Sequence, residues 1–169
     1  ETWHPHCDDP NRVKGKINYT VWSDVFRCPL CGEEIVFWEE AVDLEKNKIH
    51  KNWHCPGCNN LLSKRPTKKS NATKVERVMD TIFDRILGVT INQARQVPVL
   101  INYSVGKKRF EKHVDKFDKS LLKTIDELSI PYSFPINKLP DGYNTRQPKE
   151  SHGFTHVHHF YTKRNLYFL

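Results

Sequence analysis

The sequence predicts an α+β chain: a four-cysteine zinc ribbon built on β-hairpins, followed by a small α/β module with two amphipathic helices and a β-hairpin. Three observations carry this. Four of the five cysteines, Cys28, Cys31, Cys55 and Cys58, form two C-x2-C pairs with 23 residues between them. Short runs of branched and aromatic residues alternate with polar turns inside that spacer and again over 99–114. Apolar residues recur at helical spacing over 75–87 and 117–128.

The cysteine spacing is that of a four-thiolate zinc site. Two residues between paired cysteines let one tight turn aim both sulfurs at one ion. Each pair sits in a knuckle, Cys28-Pro29-Leu30-Cys31-Gly32 and Cys55-Pro56-Gly57-Cys58-Asn59. Proline presets the turn, and Gly32 and Asn59 stand where a left-handed backbone is needed. In the spacer, 35–38 and 49–53 read as strands around a polar turn at 43–48. Two short-loop disulfides would be strained, and no thioredoxin-like pattern surrounds a redox C-x-x-C. With four thiolate ligands and no open position, the zinc is expected to be structural. Reduced thiols fit a cytoplasmic setting, in which the N-x-S/T triplets at Asn18, Asn71 and Asn102 carry no glycan. Cys7 is left over. His4 and His6 beside it offer a second metal site, but a surface loop with a free thiol fits better, since no partner ligands stand at suitable spacing. His54 adjoins Cys55, yet four cysteines already fill a tetrahedron.

The chain divides by composition into a lead-in at 1–27, the ribbon at 28–62, a basic linker at 63–73, a helix-hairpin-helix-like α+β module at 74–130, and a loop and C-terminal segment at 131–169. A capping box at Thr73 and Glu76 opens the first expected helix, Val75, Val78, Met79, Ile82, Phe83, Ile86 and Leu87 line it, and Gly88 ends it. Residues 99–105 and 108–114 form the hairpin around Gly106-Lys107. The second helix starts near Asp115 or Asp118, buries Phe117, Leu121, Leu122, Ile125 and Leu128, and stops before Pro131. Residues 131–153 read as loop. His156, His158 and His159 invite a metal, but their spacing does not place all three on one face of a helix or strand.

With 169 residues, 37% of them hydrophobic and 28% charged, a small core is within reach and a large enzyme core is not. No apolar run approaches the ~18 residues of a membrane span. Nothing near Glu1 reads as a signal peptide, and the apolar end at Leu166–Leu169 is expected of a piece of a longer protein.

The net charge is +7, with 27 bases against 20 acids, and it is blocky. Residues 28–58 hold six acids against three bases, whereas 59–79 hold six bases against one acid, 107–123 seven against three, and 142–169 four against one. Blocks of this kind suit phosphate contact, with solvated charge as the plain alternative. Lys64, Arg65, Lys68 and Lys69 flank the ribbon, Lys107, Lys108, Arg109 and Lys112 crowd the hairpin tip, and Asn144 and Arg146, with Gln147 nearby, have the chemistry to read adenine and guanine edges. Nucleic acid is therefore the expected partner, with an anionic surface second.

Tyr19–Asp24, Phe26–Gly32, Phe37-Trp38, Cys55–Cys58, Asn102-Tyr103, Gly142–Pro148 and His152–Leu166 together resemble the zinc-ribbon region of bacterial adenine-specific DNA methyltransferases. The likeness runs from about Trp22 onward. It implies double-stranded DNA as the partner, and a parent enzyme of restriction-modification type that moves a methyl group from S-adenosylmethionine to a flipped adenine. The family's D-P-P-Y and x-G-x-G motifs are missing; Asp9-Pro10-Asn11 is the nearest match. The resemblance thus implies a target-recognition fragment that is inactive alone and works with the catalytic and cofactor domains of the parent chain. The alternative is a non-catalytic zinc-ribbon adaptor that binds nucleic acid or protein.

Overall fold

The computed structural model describes residues 1–3 and 13–168. The expectations at His4, His6, Cys7 and Asp9-Pro10-Asn11 lie outside the described residues. In chain order the elements are β1 (Thr2–Trp3), β2 (Lys14–Arg27), β3 (Glu34–Val36), α1 (Phe37–Ala41), β4 (Val42–Asp43), β5 (Lys48–Ile49), β6 (Asn52–His54), β7 (Leu61–Ser63), β8 (Thr73–Lys74), β9 (Glu76–Arg77), β10 (Met79–Asp84), β11 (Val89–Ala94), β12 (Gln96–Val105), β13 (Lys108–His113), α2 (Lys116–Glu127), α3 (Tyr143–His152), a 3-10 turn at Val157–Phe160 and α4 (Lys163–Phe168). The class is α+β, dominated by short strands. Among the described residues no helix is long and apolar enough to cross a membrane.

These elements gather into two compact units, each discontinuous in sequence, where composition had suggested linear divisions. The first draws on Glu1–Trp22, Pro98–Pro140 and Phe154–Leu169, the second on Ser23–Val97 and Asp141–Gly153.

In the first unit the sheet order is β1-β2-β12-β13. β12 is central and buried on both faces from Val99 to Tyr103, which suits its continuous apolar run. It pairs with β13 from Leu100↔His113 to Val105↔Lys108, and Gly106 takes φ +60 in the two-residue turn, as the sequence predicts. Gly15 lies against the Tyr103 ring, so that a Cβ there would stand 2.3 Å from Tyr103 Cδ2. Asp115 caps α2 in a reciprocal box with Asp118, at the boundary the sequence marks. The helix differs from expectation in its apolar side: Phe117, Leu121 and Leu128 stay exposed, and Leu121, Leu122, Ile125 and Leu128 border an open hollow of about 270 Å³.

The second unit packs Phe26, Ile35, Ala41, Trp53, Leu62 and Val75 around Cys28 and Cys55. β3 and β9 both pair with the end of β2, at Phe26↔Ile35 and Phe26↔Arg77. The strand expected through Trp38 ends at Val36, and Phe37 opens the one-turn α1. The strand expected at 49–53 is split, β5 closing a hairpin with β4 and β6 pairing with β7.

The largest correction falls on 73–87. No helix forms there. Thr73 and Glu76, read as a capping box, lie in β8 and β9, and β8 runs parallel to β7 at Leu62↔Thr73. Met79–Asp84 and Val89–Ala94 then form an antiparallel hairpin in full register. Val75, Val78, Thr81, Ile82, Val89, Thr90 and Ile91 are β-branched, and that stiffness favours strands once partners exist. Gly88, at φ +68, serves the hairpin loop, in which Asp84 Oδ1 accepts from the Ile86 and Leu87 amides at 2.8 and 3.1 Å. The second correction is α3, a helix within the stretch read as loop.

Candidate metal centre and basic surfaces

The two cysteine knuckles fold identically. Cys28 N donates to Glu33 O at 2.8 Å and Gly32 N to Cys28 O at 2.9 Å; Cys55 N donates to Asn60 O at 2.9 Å and Asn59 N to Cys55 O at 2.8 Å. Gly32 at φ +81 and Asn59 at φ +57 supply the left-handed residue at matching positions. Glycine does so without a Cβ clash, and asparagine is one of the few other residues that tolerates it.

These turns bring Cys28, Cys31, Cys55 and Cys58 together, all four sulfurs within 4.8 Å of one another. Cys28 Sγ lies 3.8 Å from Cys58 Sγ, and Cys31 Sγ 3.6 Å from Cys55 Sγ. A tetrahedral ion with bonds of about 2.3 Å to sulfur requires edges of about 3.8 Å. The cluster can therefore hold a metal ion with little rearrangement. Cys28 and Cys55 are buried in the aromatic core, whereas Cys31 is exposed and Cys58 half-buried.

Four adjacent thiols compete for ionisation. Asn60 donates Nδ2 to Cys58 Sγ at 3.1 Å, and with the Asn60 amide it draws the Cys58 thiol down to about 6. At Cys31 the Glu33 backbone contact favours the thiolate, but desolvation and hydrogen bonds with the other three sulfurs push the thiol up to about 12. A divalent cation removes that competition by favouring all four thiolates at once. Asn60 is a contributor the sequence reading missed; its only local signal is its position directly after the left-handed Asn59. His54 is exposed and lies outside the cluster.

Beside the sulfurs, Phe37 meets Trp53 edge-on at 5.2 Å and Phe26 at 6.0 Å between ring centroids. Lys64 Nζ stands 3.3 Å above the Phe37 ring, and burial lowers its pKa. Lys64 thus covers an aromatic core rather than extending into solvent. Arg65, Lys68 and Lys69 are exposed.

At the β12–β13 tip, Lys107, Lys108 and Arg109 are exposed together. Lys112 departs from the expectation for its block. Its side chain is only 5% exposed, and Nζ lies 2.7 Å from both Asp115 Oδ2 and Asp118 Oδ2. Burial alone would lower its pKa, but its hydrogen bonds to those carboxylates raise it, so Lys112 is an internal structural cation. Its position in β13 points it inward while its neighbours in sequence point out.

Asn144 and Arg146 are exposed, on α3 rather than on a loop. His156, His158 and His159 are gathered by the 3-10 turn, with ring centroids 4.3 to 5.7 Å apart. Thr155 donates its amide to His159 Nδ1 at 3.1 Å, and its hydroxyl lies 2.9 Å from His156 Nδ1, so hydrogen bonding engages the Nδ1 atom of each of these two rings.

A second polar network, absent from the sequence reading, joins Asp24, Arg77 and His152. Arg77 Nη1 lies 2.5 Å from Asp24 Oδ2 and 3.2 Å from His152 Nε2. Burial pushes the Asp24 carboxyl up, but hydrogen bonds from Gln96 and Arg77 and the Arg77 charge outweigh it and leave it below the usual range. Burial, aided by Arg77, holds His152 below its ordinary value. No local pattern marks these three residues, which lie on β2, β9 and α3. Comparison with protein-family models, with curated proteins and with solved structures finds no match for the chain.

Proposed function

We propose that this chain is a zinc-braced DNA-recognition fragment of an S-adenosylmethionine-dependent DNA adenine methyltransferase, with the catalytic and cofactor motifs lying outside it. The observation that carries the DNA-binding part is the separation of its lysines and arginines into two kinds. Lys64 and Lys112 are used internally, whereas Arg65, Lys68, Lys69, Lys107, Lys108 and Arg109 are exposed in two clusters. Exposed clusters of cations contact several phosphates at once. The assignment to a methyltransferase rests on the resemblance of the knuckles and of 142–166. Zinc is the ion proposed for Cys28, Cys31, Cys55 and Cys58, because a closed four-thiolate tetrahedron is its usual structural site; bound there it cross-links the two knuckles and offers no open coordination position.

Fluorescence anisotropy with a labelled duplex across a salt series tests the reading. Affinity should fall with a log–log slope of about −0.9 per phosphate contacted, and replacing Lys107, Lys108 and Arg109 together by alanine should flatten it. A chain that binds no duplex at low salt would remove the proposal. An adaptor role is the second reading, favoured by the exposed apolar side chains of the β10–β11 hairpin, among them Phe83 at 63% and Val89 at 48% exposure. Such exposure suits a protein surface.

A further inference from the structure

We infer that α3 is a base-reading helix, which enters the major groove of duplex DNA and reads about three base pairs through Asn144, Arg146 and Gln147. This rests on the DNA-binding reading above and extends it from phosphate contact to sequence discrimination.

The helix has two sharply divided sides. Thr145, Pro148, Lys149 and His152 are half-buried, at the i, i+3, i+4, i+7 positions that face the body of their unit. Tyr143, Asn144, Arg146, Gln147 and Glu150 are exposed on the opposite side. That outer side has no apolar stripe to seek a protein groove. Its exposed charges are one arginine and one glutamate, 4.0 Å apart, so it has no net attraction for phosphate. What remains is a row of planar donors and acceptors. Arginine pairs with the guanine edge, asparagine and glutamine with the adenine edge, and glutamate accepts from cytosine. The attraction for phosphate comes from other residues of the same unit, among them the exposed Arg65, Lys68 and Lys69.

The outer side chains are also held in place. Ser151 Oγ donates to Gln147 O at 2.6 Å and accepts from Gln147 Nε2 at 2.8 Å, which fixes the amide. The Arg146 guanidinium lies 5.8 Å from the Tyr143 ring centroid and 4.0 Å from the Glu150 carboxylate. Tyr143 is 84% exposed on the same side. The helix itself is anchored. His152 meets Arg77, and a Cβ on Gly153 would fall 1.9 Å from Asn92 O, so only glycine lets the helix end there. An anchored helix with a free polar side is what groove readout requires. From Tyr143 to Glu150 the rise is about 10 Å, equal to about three base-pair steps.

The test is selection from a pool of random duplexes, read by sequencing, with the full chain, Arg146→Ala, the pair Asn144→Ala and Gln147→Ala, and the triple alanine variant at Lys107, Lys108 and Arg109. The full chain should enrich a motif of about three base pairs that contains a G·C pair. Arg146→Ala should lower discrimination at that pair by about 5- to 150-fold, more than it lowers affinity for random duplex. The hairpin variant should weaken binding to all duplexes and keep the motif. Unchanged zinc content and circular dichroism show each variant folded; these residues are exposed, so loss of fold would itself contradict the placement described. If the full chain binds duplex with a steep salt dependence but enriches no motif, or the motif survives Arg146→Ala, α3 does not read bases and the DNA-binding reading stands. If it binds no duplex at all, both fall, and a protein partner for the outer side of α3 takes their place.

Discussion

The two units of this chain are held together by different chemistry. In the second, the largest buried group is aromatic and aliphatic, and it closes around Cys28 and Cys55, so that its interior is continuous with the metal site. In the first, the apolar core is a single strand's worth of residues around Val99 to Tyr103, and a buried charge network sits at its edge. Thr2 Oγ1 donates to Asp118 Oδ1 at 2.6 Å, and Lys112 lies between Asp115 and Asp118. The difference teaches that the two parts should fail under different conditions. With zinc bound as proposed, one depends on a cation that solvent can supply or remove, the other on a cation built into the chain.

Removal of the metal should have the largest effect. Apparent zinc-binding energies of about 10–16 kcal/mol in small zinc domains are also folding energies. Chelation, or Cys55→Ser, should abolish hydrogen-exchange protection of the β6 and β7 amides while those of β12 and β13 stay protected. Metal analysis of the reduced chain should find one ion. Protection over 52–63 that persists in chelator would break the comparison, because the aromatic core alone would then suffice.

The reciprocal change is Lys112→Ala. Removing one partner of a buried ion pair costs about 3–5 kcal/mol, because the other charges are left without compensation. The loss should appear in urea denaturation followed at β12 and β13, with metal content unchanged. Adding Asp118→Leu to Lys112→Met should recover part of it, since of the two carboxylates that face Lys112 only the more exposed one, Asp115, is then left. Asp115 sharpens the contrast with pH. Burial raises its pKa, but Lys112 outweighs that and holds it low, so its contribution is present above the unfolded value of about 4 and is lost as pH falls through the folded one. Metal release, which needs protonation of the thiolates, should come at milder acidity.

A smaller effect separates the two knuckles. Gly32→Ala meets no steric contact within 4 Å, so its cost is backbone strain alone, about 1 kcal/mol or about fivefold in metal affinity. Asn59→Gly should cost nothing measurable at the backbone. Competition titration with a chromogenic chelator distinguishes them, and equal affinities for the two variants would show that the left-handed positions do not limit closure.

The parts of the molecule legible in sequence are those that local chemistry decides. Pro29 and Pro56 with Gly32 and Asn59 announce the knuckles, Gly106 the hairpin, and Asp115 with Asp118 the start of α2. The parts that were not legible depend on partners distant in the chain. Val75, Val78, Ile82 and Ile86 fit helical spacing, but β8 and β9 find β7 and β2 to pair with, and tertiary pairing overrides the pattern. α3 has no apolar stripe and carries Pro148 in its interior, so neither periodicity nor propensity marks it. Lys112 was read with its exposed neighbours because block charge takes no account of strand alternation. The clustering of the four cysteines, being set by turn chemistry, was legible residue by residue; the basic surface was legible only as a block.

The last and smallest effect concerns His152, where pH should distinguish the second unit even with its metal bound. The imidazole is held below its ordinary value of 6.5, first by burial and then by Arg77, whose guanidinium stands 3.2 Å away. In the folded chain His152 therefore binds a proton less readily than in the unfolded chain. Its contribution to stability is present above about pH 6.5 and is lost as pH falls through the folded value. Protonation would place two cations side by side where α3 meets β9 and would loosen the C-terminal end of α3. Gln at this position keeps an acceptor for Arg77 and cannot titrate. Denaturation midpoints of the wild type and His152→Gln, measured from pH 7.5 to 5.5 on the metal-bound chain, should converge as pH falls. Hydrogen exchange should place the change in the amides of 149–153 and leave β12 and β13 unaffected. Midpoints that stay parallel across the range would mean that His152 does not titrate against Arg77, and that mild acid acts on the second unit through its thiolates alone.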